Sequence, residues 1–78
     1  MYNHEEYAKL TPGERSLYEW QFKMSGGFFT SLWDAISRAD SQNLYHLEKA
    51  FPSHLKAWGR YQGESGWWEE LVERVGRP

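Results

Sequence analysis

The sequence predicts an all-α fold: a single compact domain, residues 1–78, of five or six short helices around an aromatic-rich core. Three observations carry this. Apolar residues recur at helical spacing in successive segments, capping and breaking residues punctuate the chain between them, and strand signals are missing. β-branched residues are few, and nothing alternates over a useful length.

The first element is a short helical turn over roughly residues 4–10, with Tyr7 and Leu10 inward. Thr11-Pro12-Gly13-Glu14 then has the form of a capping box. Thr11 is the N-cap, Pro12 takes the first helical position and Glu14 reaches back, opening a helix expected to run to about Met24. Ser25-Gly26-Gly27 breaks the chain. In the next helix Phe28, Phe29, Leu32, Trp33, Ala35, Ile36 and Ala39 fall on one apolar stripe, about 160° wide, which predicts the central helix. Asp40 is the expected N-cap of a fourth helix carrying Leu44, Leu47 and Phe51 on one side. Pro52 disfavours a helical Phe51 and suits the first turn of a fifth helix, about 53–62, with Leu55, Trp58 and Tyr61 together. Gly63-Glu64-Ser65-Gly66 reads as a loop with Ser65 as a cap. The last helix aligns Trp67, Trp68, Leu71, Val72 and Val75 and stops at Gly76.

At 78 residues the chain is near the lower size at which one hydrophobic core suffices, and it has no cysteine with which to staple itself. Aromatic residues make up 18% of it, and each such ring can bury roughly 150–250 Å². That makes a core plausible with no cofactor, and none is expected. The absence of cysteine also excludes disulfides and thiolate metal sites, and it fits a reducing compartment. No segment approaches the roughly 20 apolar residues of a membrane span. The opening Met1-Tyr2-Asn3-His4-Glu5-Glu6 lacks the basic and apolar regions of a signal peptide, so the expected location is cytoplasmic.

Formal charge is −2, too weak a field to favour polyanions or membranes. The charge divides along the chain: segments 1–37 and 61–78 are each −2, whereas 38–60 is +2. Within that positive segment, Tyr45 and Lys49 are i, i+4 neighbours on the side of the fourth helix away from Leu47 and Phe51. Lys56 and Arg60 are likewise i, i+4, opposite Trp58 and Tyr61. Tyr45, Lys49, Lys56 and Arg60 are therefore the candidate binding residues, one basic and aromatic patch if the two helices pack as a hairpin. The plainer alternative is two solvated helix faces.

The remaining motifs favour structure over chemistry. Helical spacing assigns Trp67 and Trp68 to the edge of the core rather than to a stacking platform. His4, His46 and His54 include no i, i+4 pair and no metal-binding cluster, and His54 projects onto the apolar face of its helix, where a hydrogen-bonded structural histidine is expected. No serine lies in a nucleophile elbow, and Gly26-Gly27 is too short for a phosphate loop. An enzyme is not expected. A small helical DNA-binding regulator, with a helix-turn-helix around Asp40 or Pro52, is the alternative. It lacks a run of bases at either second helix, and nucleic acid is a poor match for an acidic chain.

The stretch Phe28-Phe29-Thr30-Ser31-Leu32-Trp33-Asp34-Ala35-Ile36-Ser37-Arg38-Ala39-Asp40, followed by Asn43-Leu44, Leu47, Ala50-Phe51-Pro52, Tyr61-Gln62 and Gly66-Trp67-Trp68, resembles small uncharacterised helical proteins of bacteriophages and prophages. The resemblance covers roughly residues 28–70 and brings no functional residues with it. It implies a short accessory protein made inside a bacterium, of the kind that binds one host or phage protein, a defence complex among them. The function expected on these grounds is that of a non-enzymatic interaction protein.

Overall fold

Helix order follows from the caps. The computed structural model describes residues 2–78, and its elements are α1 (His4–Ala8), α2 (Pro12–Gln21), α3 (Gly27–Arg38), α4 (Ser41–Ala50), α5 (Pro52–Gly63) and α6 (Trp67–Val75), with no strand among the described residues. Thr11 and Glu14 form the reciprocal capping box: the Glu14 amide donates to Thr11 Oγ1 at 3.1 Å and the Thr11 amide to Glu14 Oε1 at 2.9 Å. Asp40 caps α4 by accepting the Asn43 amide at 2.8 Å.

Two ends differ from expectation. α2 stops at Gln21 rather than near Met24, because Lys23 turns left-handed (φ 59°). The Lys23 amide then donates to Trp20 O and the Met24 amide to Glu19 O, a Schellman closure built on a lysine instead of the usual glycine. α6 takes Gly66 (φ 83°) as its N-cap, with no side-chain cap from Ser65. Gly76 (φ 84°) ends it as expected.

Helices α2 and α5 cross at closest range where Gly13 meets Ser53. The Gly13 amide donates to Ser53 Oγ at 2.8 Å, and a Cβ on Gly13 would overlap the Ser53 carbonyl and come within 2.6 Å of His54 N. From that crossing the inner face of α2 runs on through Ser16, Leu17 and Trp20, at helical spacing from Gly13. Ser16 is buried and accepts from Trp33 Nε1 at 2.9 Å, which seats a fully buried indole from α3 at the centre of the core. Trp20 stacks on Trp33 (centroids 5.7 Å, planes 16° apart), and Trp58 from α5 lies 6.2 Å away.

The two chain ends close the far side. The Asn3 amide donates to Val75 O at 2.6 Å, and Tyr18 OH donates to Gly76 O at 2.7 Å, joining α1 and α2 to α6. Burial raises the Tyr18 phenol above its ordinary pKa. Tyr7 OH donates to a Glu19 carboxylate, and burial together with that acceptor raises its phenol too.

The stripe of α3 is narrower than its spacing suggests. Leu32, Trp33 and Ile36 are buried, but Phe28 and Phe29 remain 64% and 38% exposed and Ala35 faces solvent. Phe28 and Phe29 sit in the first turn of α3, where their ring neighbours are Phe51 and His54 rather than the buried core. They pack sideways on the α4–α5 junction instead of inward. α4 buries no residue at all; its Leu44 and Leu47, with Phe51, are only partly covered.

Two substitutions test this packing. Ile36→Ala should lower unfolding free energy by about 2–5 kcal/mol, as for other buried aliphatic truncations. Gly13→Ala adds one methyl group yet should cost more than about 3 kcal/mol, because it meets backbone that cannot move aside. Urea titration measures both, and a mild Gly13→Ala would show that the crossing is not tight.

Candidate interaction surfaces

Each predicted binding residue can now be placed. Tyr45 stands on the outer face of α4, 57% exposed, and its Lys49 partner one turn later holds its ammonium 4.5 Å from the ring centroid. His46 meets the same ring edge-on at 5.7 Å. Lys56 is exposed on α5, and no carboxylate lies within ion-pair distance of Lys49 or Lys56 among the described residues.

Arg60 has other commitments. Its guanidinium pairs with Glu64 at 3.1 Å, approaches Glu14 at 3.8 Å and lies 5.1 Å over the Trp67 ring. It thus ties α5 to the start of α2 and to α6. Among the described residues no hydrogen bond, ion pair or ring contact links Tyr45 or Lys49 to Lys56 or Arg60. Trp67 is buried and Trp68 half-buried against Phe22 and Tyr61, so that pair closes the core.

A second surface had no counterpart in the sequence reading. Phe28 meets Phe29 edge-on at 5.1 Å and Phe51 at 6.2 Å. Phe29 stacks on the His54 ring, centroids 5.5 Å apart and planes 3° from parallel, and Phe51 and Trp33 flank that ring at 5.6 and 5.7 Å. His54 is therefore a half-buried histidine boxed by aromatic rings, and among the described residues no hydrogen bond reaches its imidazole. A hydrogen-bonded histidine was expected there. Instead, ring packing holds it, and burial lowers its pKa below the ordinary 6.5.

The signal that could have exposed this patch is charge spacing. Residues 24–33 form the longest stretch without Asp, Glu, Lys or Arg, and 50–55 is another uncharged run; together they supply all four rings of the patch. Among the described residues no group of three or more His, Cys, Asp or Glu side chains is placed to hold a metal ion. No helix there is long and apolar enough to cross a membrane.

Comparison with known proteins finds no matching family model, curated protein or solved structure.

The boxed imidazole has a stability consequence. Because the folded state holds His54 neutral to lower pH than the unfolded chain does, the unfolded chain binds the extra proton. Stability should therefore fall as pH drops through about 6.5, levelling off below the folded pKa. In His54→Gln that part of the slope should vanish. Urea melts of both proteins from about pH 8 to about pH 5 measure it, and identical slopes would remove His54 as the cause.

Proposed function

We propose that this chain is a non-enzymatic interaction protein of phage type, working in the bacterial cytoplasm, which binds and modulates a host or phage protein through the outer face of α4. The observation that carries this reading is Tyr45, a large aromatic side chain 57% exposed on a helix that contributes no buried residue to the core. Tyrosine is among the types that most often anchor protein interfaces, while lysine belongs to their rim. Lys49 orients the ring, Lys56 extends the positive character along α5, and Arg60 serves the patch mainly by holding α5 in place. The +2 charge of segment 38–60 makes an acidic surface the natural complement. Inhibition of a bacterial defence complex is one specific form of this activity.

The experiment is capture of the partner from lysate of the bacterium that makes the protein, followed by titration with variants. Tyr45→Ala should weaken binding by more than about 1 kcal/mol, roughly fivefold, while leaving the urea midpoint nearly unchanged. Lys49→Ala and Lys56→Ala should act on association rate and salt dependence. Normal binding by all three would move the working surface elsewhere. Salt-sensitive binding to arbitrary duplex DNA would favour a small DNA-binding regulator instead.

A further inference from the structure

The Phe28–Phe29–Phe51 patch lies apart from the α4 face and calls for its own occupant. We infer that it is a self-association surface, on which a second copy of this chain docks across a twofold axis. The argument is one of charge. In a twofold interface each patch meets its own image, so a net charge on the patch faces the same net charge on its copy. A patch can be its own complement most simply by carrying none. The rings of this patch come wholly from uncharged runs, and the exposed residues flanking them (Gly26, Gly27, Ala50 and Pro52) are uncharged as well.

The other exposed helix faces do not share this property. α6 presents Glu69, Glu70, Glu73 and Arg74, α1 and its C-cap present Glu5 and Lys9, and α4 presents Glu48 and Lys49. Charge depletion with enrichment in aromatic residues is also the composition that marks the centre of protein interfaces, and homodimer interfaces are the more apolar ones. Gly26 and Gly27 have nothing within 4 Å of a would-be Cβ, so a partner's backbone can approach there.

Area bounds the contact. The low end of specific interfaces is about 600 Å² per partner, roughly a ninth of this molecule's 5285 Å² surface. Two exposed phenylalanines supply the anchor of such a contact and not its whole extent. The association is accordingly weak and reversible, driven by ring burial.

Sedimentation velocity of the full chain from about 5 to about 500 μM tests this. The average mass should climb from 9.3 kDa toward double as concentration rises. Phe28→Asp should abolish the climb. Phe28 occupies the first turn of α3, where a carboxylate suits the helix dipole and no core contact is lost, so the variant should keep the circular dichroism and urea midpoint of the parent. Gln42→Asp, an exposed change on α4, is the control and should dimerise normally. A chain that stays monomeric at the highest concentration overturns the inference, as does a dimer indifferent to Phe28→Asp. Neither result bears on Tyr45, so the α4 reading stands or falls separately.

Discussion

The fold depends on how closely two backbones can pass at Gly13. The amide of that residue reaches Ser53 Oγ because no side chain separates α2 from α5, and the first turns of both helices are locked together there. Everything inward follows in register. Ser16, one turn along α2, is set at the depth where it can accept the Trp33 indole proton, and Trp20, one turn further, lies flat on the same indole. A side chain at residue 13 would overlap the Ser53 carbonyl, so α5 would have to move off α2 and the Gly13–Ser53 hydrogen bond would be lost.

Aromatic mass takes the place of a large aliphatic core. Trp33 and Tyr18 are the largest fully buried side chains, and a ring of half-buried Tyr2, Tyr7, Trp20, Phe22, Trp58, Tyr61 and Trp68 surrounds them. Three of the polar tips find partners inside the molecule: the indole of Trp33 on Ser16, the phenol of Tyr18 on Gly76, the phenol of Tyr7 on Glu19. Arg60 extends the same economy to the surface, joining α2, α5 and α6 through two carboxylates and the Trp67 face.

That economy leaves α4 and the first turn of α3 outside. α4 leans on α5 through Leu44, Leu47 and Phe51 without burying any of its own residues, so its outer face is free to vary with a partner at little cost to the fold. The first turn of α3 leaves Phe28 in solvent beside Phe51. The two exposed aromatic surfaces thus arise from one cause: six short helices cannot cover all fourteen rings.

Much of this was legible in the residues. Helix number, the capping box at Thr11 and Glu14, the Asp40 cap, the stop at Gly76 and the burial of Leu32, Trp33, Ile36, Leu71 and Val75 all follow from local rules, because caps and periodicity act within one or two turns. Tyr45 and Lys49 also met as their i, i+4 spacing required. What spacing could not decide is which part of an apolar stripe finds a neighbour. Phe28 and Leu32 lie one turn apart on the same stripe, yet one is in solvent and the other in the core. Nor could it show Gly13 as a contact point rather than a position in a cap, or Arg60 as a tie between three helices, since the partners in each case lie about forty or more residues away, or across a turn of different direction. Local sequence determined the helices and their faces; only tertiary structure decided which faces were left over, because coverage depends on which other helices pack against each turn.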